Sequence, residues 1–321
     1  MQPYSLREMR TEDLAAVNRV LSKAFTSARI DEGLKNPYVR PCHPSFLEMY
    51  LANFPAGCFV VEHKQGLVGY IFAHLLGQVG WIGPLSILPA HQGKHLGHVI
   101  VLEAVKALQK AGAQVIGLET APRNYRNLGF YSKLGFKPGR LTFDMTKRVP
   151  PIASEALLSK YEARFIGQTE GPERDELLAE VDALARRIDP SLKLSHEIAL
   201  TLRFNYGDAL CLREGKRTLA CALAHTETYS EDETARYLKV IALLVEPKHA
   251  DLPGQIVQLL CNWASQKHLD TVSIRTPTRY ASAYHALLGL GFRVFHAELR
   301  MTLKGYHERA HPRAFNLSKW E

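Results

Sequence analysis

The chain repeats itself once, and the two copies are not equally equipped. Gly135-Phe136 and Gly291-Phe292 stand 156 positions apart, as do Met145-Thr146 and Met301-Thr302, while Pro89 and Pro247 stand 158 apart. A period this long describes two whole units rather than a stack of short repeats. A length of 321 residues leaves room for two cores of about 150 residues each. The expected division is 1–147, a connecting or crossover helix within 148–165, a second unit over 166–304, and a polar tail over 305–321 that packs on the surface.

Hydrophobic patterning gives each unit the same plan. In the first, Tyr4 to Met9 predicts a strand and the segment after Thr11-Glu12-Asp13 a helix. Residues 26–57 are expected to be irregular, a loop carrying Tyr38, Phe46 and Tyr50 that serves as a lid. Two apolar runs, Cys58 to Glu62 and Gly66 to Leu76, flank a hairpin turn, and Gly80 to Leu88 reads as a further strand. Pro84 within that strand removes a ladder hydrogen bond, so the strand must splay or bulge there. Leu96, Val99, Ile100, Ala104, Val105 and Leu108 predict an amphipathic helix that Gly112 ends. A strand over 115–120, a short helix over 127–134 and a strand over 141–146 follow. The second unit repeats this with helices at 172–187, 254–267 and 281–288 and strands near 208–213, 218–225, 236–245, 271–275 and 296–303. The fold class is α/β with a mixed sheet in each unit.

Composition removes several functions. Apolar residues are 46% and charged residues 22%, as in globular proteins, and no apolar run reaches the roughly 18 residues of a membrane span. Met1 to Ser5 has neither a basic start nor an apolar stretch, so a cytoplasmic location is expected. The five cysteines form no Cys-x-x-Cys pair and read as free thiols. A net charge of +8 favours anionic partners, but no basic run interleaved with aromatics points to nucleic acid. A homodimer is compatible with the chain.

Chemistry concentrates in the first unit. Gln92-Gly93-Lys94-His95-Leu96-Gly97 ends a strand and opens a helix. Clustered backbone N–H groups and the helix dipole make such a junction an anion site. It lacks the Gly-Lys-Ser/Thr of a Walker loop and the Gly-x-Gly-x-x-Gly of a dinucleotide fold. His91, His95 and His98 have no acid or thiol beside them, and no metal is expected.

Pro-x-x-Gln-Gly-x-x-x-Gly before a helix, followed by Asn124, Tyr131 and Gly135-Phe136, resembles the GCN5-related N-acetyltransferase (GNAT) superfamily in its tandem form. The resemblance implies two GNAT-like domains, each a splayed mixed sheet flanked by helices, with acetyl-CoA as co-substrate. It also implies transfer of the acetyl group to a primary amine of a small molecule or peptide. Ile87 and Leu88 would offer backbone groups to pantetheine, and Gln92 to Gly97 would cradle the pyrophosphate. His95 takes the place of the family's first loop glycine; its N–H stays available if its backbone angles are ordinary helical ones. Asn124 would bond the pantetheine arm or its surroundings, and Tyr131 would protonate the departing thiolate. A phenol near pKa 10 suits a thiol of about 8.5. Glu119, at a strand end, is the first candidate for a base; Asp31, Glu32 and His74 come behind it. A non-catalytic acyl-CoA sensor is the alternative reading. The second unit has Asp251 and Pro253 in its loop, Tyr280 for Asn124 and Leu287 for Tyr131, and is expected to bind no cofactor.

Overall fold

Apolar runs bounded by glycine or proline give both halves one series of elements, and a computed structural model shows how they interlock. It describes all residues except 1–3, 151–159, 231–235, 248, 250, 309–314 and 319–321. The first half contains β1 (Tyr4–Glu8), α1 (Leu14–Asp31), α2 (Pro44–Asn53), β2 (Phe59–His63), β3 (Gly66–Leu76), β4 (Val79–Ile87), α3 (Leu96–Lys110), β5 (Val115–Thr120), α4 (Tyr125–Lys133) and β6 (Phe136–Arg148). The second contains β7 (Glu162–Phe165), α5 (Gly171–Ile188), α6 (Ser195–Arg203), β8 (Gly207–Glu214), β9 (Arg217–His225), β10 (Tyr237–Val245), α7 (Leu252–Gln266), β11 (Thr271–Pro277), α8 (Ala281–Gly289), β12 (Arg293–Leu303) and β13 (Phe315–Ser318).

Three expectations need correction. Residues 26–57 are largely helical: α1 runs to Asp31, and Pro44 opens α2 at a position where its missing N–H costs nothing. Only residues 32–43 connect them. The expected crossover helix falls mostly on 151–159, outside the described residues, and Glu162–Phe165 within the expected linker is a strand paired with β8. The tail is not a surface coil throughout: β13 is buried along its length, with Leu317 at 1% exposure. The helix α6 was not foreseen from the sequence.

All the described strands join one sheet in the order β1-β2-β3-β4-β5-β12-β6-β11-β10-β9-β8-β7, with β13 also on β10. The halves exchange their last regular strands. β12 pairs antiparallel with β5, Leu299 opposite Thr120 and Arg300 opposite Glu119. β6 pairs antiparallel with β11, Arg275 opposite Asp144. β6 and β12 run antiparallel to each other between them. The core follows the sheet: Leu76, Val79, Trp81, Val115 and Met145 of the first half belong to the same buried cluster as the second half's helices. A second cluster fills the space beneath α3, and a third lies under α1 and α2 and takes in Leu200 and Tyr206.

Residues 1–147 alone would leave β5 unpaired on its β12 side and β6 unpaired on both edges, and such edges invite aggregation. The fragment is therefore expected to be insoluble or to lack a cooperative thermal transition. A soluble fragment with a sharp melt in circular dichroism would contradict this.

Candidate active site

A cleft opens in the first half because β4 leaves β5. The two pair in parallel only through Val79 with Val115, Gly80 with Ile116 and Trp81 with Gly117. The β3–β4 register then shifts between Ile71 and Ala73, across the Gly83-Pro84 segment, so the sequence expectation of a bulge at Pro84 holds. An irregularity of this kind bends its strand. From Ile82 onward β4 is held by β3, whereas Leu118, Glu119 and Thr120 are held by β12. Each wall is thus supported from outside while the inner edges stay apart.

The cleft ends at the loop before α3. The amides of Gly93 through His98 have no hydrogen-bond acceptor among the described residues, and the first helical bond is Val99 N–H to His95 O. Free first-turn amides are what an anion site at a helix N-terminus requires. His95 caps α3 with φ 60° and ψ 6°, so its angles are left-handed rather than helical. That geometry explains a glycine at this position in the family motif, since a side chain there costs about 1–2 kcal/mol. The loop follows the backbone course a glycine would give and keeps its amides. Gly97 lies against Phe130, whose ring is 3.2 Å from where a Cβ would stand.

Other loop side chains have definite places. Gln92 Nε2 donates to Ile87 O at 2.9 Å, folding the loop onto the end of β4. The Leu88 N–H is committed to Val68 O at 2.8 Å and is not free for a ligand. Ile87, one residue earlier, has its carbonyl taken by Gln92, while strand alternation puts its N–H on the edge away from β3. Lys94 Nζ donates to Tyr4 Oη at 2.9 Å, and Tyr4 Oη meets His91 Nδ1 at 3.1 Å. Burial, then the charges of Lys94 and His63, push the His91 imidazole down.

Tyr131 projects from α4, half-buried, with the rings of Phe130 and Phe136 at 5.0 and 6.0 Å. Its hydroxyl has no hydrogen-bond partner among the described residues, and burial raises it above the ordinary phenol value. Asn124 caps α4: Oδ1 accepts from Asn127 N–H at 3.0 Å, and Nδ2 donates to Glu32 Oε1 at 3.0 Å. Glu32 also pairs with Arg123 at 2.9 Å, so the end of α1 is tied to the start of α4.

The family model described as "Acetyltransferase (GNAT) family" matches residues 19–136. Residues 19–136 are thus similar to the GNAT family. Glucosamine 6-phosphate N-acetyltransferase of Candida albicans is 33% identical over 89 residues, or 25% of this chain and 58% of that enzyme. The chain thus spans little more than half of this curated relative. A GCN5-related N-acetyltransferase structure from Sphaerobacter thermophilus superposes with a TM-score of 0.64 at 15% identity, covering 97% of this chain and 99% of its own. A tandem GNAT protein from the clavulanic acid biosynthesis pathway gives 0.57 at 12% identity, over 95% and 100%. At these identities the structures establish the shared fold.

In this half the expected base, Glu119, is not a solvated acid. Its side chain is 1% exposed, with Oε1 accepting from Arg300 at 2.8 Å and Oε2 from Arg275 at 3.0 Å. Burial alone would raise its carboxyl, but the Arg300 and Arg275 charges, with hydrogen bonds from Thr142 and Arg300, outweigh burial and hold it low. It stays ionised and committed, which makes it a structural carboxylate rather than a proton acceptor. Arg275 and Arg300 come from the second half and were invisible to motif reading. Among the weaker candidates, Asp31 is exposed and Glu32 is engaged as above. His74 is buried, stacked on Trp81 at 4.9 Å, and pushed down to about 3 by burial. The described residues contain no group of three or more His, Cys, Asp or Glu placed to hold a metal.

The second half also braces the connection between α1 and α2. His43 N–H donates to Tyr229 O at 2.7 Å, Ser45 Oγ meets Tyr206 Oη at 3.1 Å, and Phe46 stacks on Tyr229 at 4.2 Å.

Two outcomes follow. Gly97→Val drives a branched side chain into Phe130 and is expected to abolish binding of acetyl-CoA in calorimetry; retained affinity would show that the loop is not used. Glu119→Ala takes one carboxylate from each of two buried guanidinium groups, leaving Arg275 with Asp144 and Arg300 with Glu308, and should lower stability by up to about 3–5 kcal/mol, read by denaturant unfolding at neutral pH. Because the folded carboxyl sits low, its contribution is complete above the ordinary carboxylate range and is lost as pH falls through the folded value. The difference between wild type and variant should therefore shrink only in acid.

Proposed function

We propose that the protein is an N-acetyltransferase that moves the acetyl group of acetyl-CoA to a primary amine on a small molecule or a peptide. The observation that carries this is the joint presence of a splayed β4–β5 edge, six unclaimed amides at the head of α3 and an unclaimed phenol at Tyr131. The residues present suit a phosphorylated, strand-like ligand: the gap offers backbone groups to an extended arm, and the loop offers N–H donors to a pyrophosphate. Lys94, His95 and His98 add positive or neutral donors around that loop.

In this reading the acceptor nitrogen attacks the thioester carbonyl carbon, the C–N bond forms, and the C–S bond breaks. Tyr131 donates its proton to the departing sulfur and is reprotonated from water, while the nitrogen releases its extra proton to solvent. A raised phenol pKa keeps the donor form present throughout the neutral and mildly alkaline range. Asn124 acts by holding α4, and through it Tyr131, at the mouth of the cleft. It does this as a cap and through Glu32.

The second copy is proposed to bind no acetyl-CoA. The loop between β4 and α3 is residues 88–95, whereas that between β10 and α7 is residues 246–251, two shorter. Asp251 stands at the cap position of His95, and Pro253 stands in the first turn of α7 where Gly97 stands in α3. A carboxylate and a missing N–H both oppose an anion. Leu287, at the place of Tyr131, is fully buried in the core.

The test is thiol release from acetyl-CoA with a panel of amines, together with calorimetry. One acetyl-CoA per chain is expected. Tyr131→Phe should leave acetyl-CoA affinity within about twofold and reduce kcat about 10²-fold, the scale of a lost general acid. An unchanged kcat would remove Tyr131 from the mechanism, and two equivalent sites would overturn the reading of the second copy.

A further inference from the structure

β10 leaves β11 as β4 leaves β5, but the second gap is filled. β10 and β11 pair in parallel only from Tyr237 with Thr271 to Val240 with Ile274. The β9–β10 register then shifts between Val240 and Ala242, two residues that stand 158 positions after Ile82 and Pro84. Beyond that shift β13 runs antiparallel along β10, pairing Ala242 with Ser318, Leu243 with Leu317, Leu244 with Asn316 and Val245 with Phe315. It also packs against β11. All four residues are buried.

The start of the tail meets the first copy directly, Ile116 N–H donating to Tyr306 O at 3.3 Å, whereas β13 is linked to it through the Arg300 side chain. Arg300, 4% exposed, donates from Nη2 to Ser318 O at 2.6 Å, from Nη1 to Glu308 Oε1 at 2.9 Å and from Nε to Glu119 Oε1 at 2.8 Å. Glu119 lies on β5, the wall of the first cleft. Arg279 holds the other oxygen of Glu308 at 2.6 Å.

We propose that residues 315–318 are a tethered strand ligand of the second cleft, a peptide seated where the first copy leaves room for an extended arm, and that its docking positions β5 of the first cleft through Arg300 and Glu119. This inference rests on the reading of the first cleft as the acetyl-CoA site. A strand is the fitting occupant because the edge of β10 offers backbone donors and acceptors, while the shortened loop beyond it no longer suits a phosphate. If docking of β13 favours acetyl-CoA binding, acetyl-CoA must favour docking of β13 by the same factor.

The first experiment uses the intact chain. Amide hydrogen exchange is measured with and without saturating acetyl-CoA, saturation being fixed beforehand by calorimetry. Slower exchange at 315–318 and at 242–245 on binding, by about threefold or more, supports the proposal; unchanged exchange at both overturns the coupling. If calorimetry detects no binding, the underlying acetyltransferase reading fails instead, and the two failures remain distinct. The second experiment deletes residues 315–321. The expected result is a KM for acetyl-CoA raised at least about fivefold, with a smaller change in kcat, restored toward wild type by a synthetic peptide of residues 309–321 added in trans. A folded deletion variant with KM within twofold of wild type refutes the positioning role. Where the deletion does not fold, Leu317→Ala in the full chain takes its place under the same criterion of KM against kcat.

Discussion

The joint between the halves is held by buried carboxylates and guanidinium groups whose arrangement follows from the duplication. Glu119 and Arg275 occupy equivalent places, 156 positions apart, and so do Asp144 and Arg300. The strand pairing sets Arg300 opposite Glu119 and Arg275 opposite Asp144. The first copy therefore contributes both acids and the second both bases. Two first copies joined this way would bury like charges against each other, and so would two second copies. Only the mixed pairing neutralises the joint. A buried ion pair adds little net stability over apolar packing, but losing one partner costs about 3–5 kcal/mol. That is a large part of the roughly 5–15 kcal/mol that holds a domain folded. The charges thus specify which halves meet, while the apolar cluster across the sheet supplies the drive.

With that joint fixed, the cleft follows from strand geometry. β12 reaches into the first half and holds Leu118, Glu119 and Thr120 away from β4, while β3 holds the far side of β4 beyond its bulge. A gap between two strands leaves backbone groups unpaired, and such groups must find water, a ligand or another strand. The two copies resolve the same problem differently. The first leaves its gap open next to free loop amides. The second closes its gap with β13, where Phe315 and Leu317 are buried at 6% and 1% exposure and each contributes on the order of 1.5–3 kcal/mol.

What the sequence disclosed was whatever depends on local pattern. Helix α3 was legible to its ends because Leu96, Ile100, Ala104 and Leu108 keep helical spacing and Gly112 takes φ 81° after it. Pro84 announced the bulge for the same local reason. His95 was placed correctly in the motif, but its left-handed backbone is set by the loop's path and not by its own preference. Helix α2 carried a readable signal, Pro44 followed by Phe46, Leu47, Tyr50 and Leu51, that the surrounding prolines obscured. The strand exchange could not be read, since the patterns of β6 and β12 say that each is a strand and not which strand it joins. Glu119 looked like a strand-end acid for the same reason: its partners lie 156 and 181 positions away. β13 is four residues long, too short for any periodicity to emerge.

The second half is therefore not a spare copy carried beside a working one. It supplies β12 to the wall of the cleft, two guanidinium groups to Glu119, and Tyr206 and Tyr229 to the connection between α1 and α2. The loop can lose two residues and its anion site, and Leu287 can replace a phenol, without touching any of these contributions. The residues that support the neighbouring cleft lie on the strand faces and edges that meet the first half. Those that would have served chemistry lie on the loop and helix ends that do not. Because the two sets are physically separate, differences between the copies in loop and helix ends leave the structural contributions of the second half intact. The first half cannot close its own sheet without them.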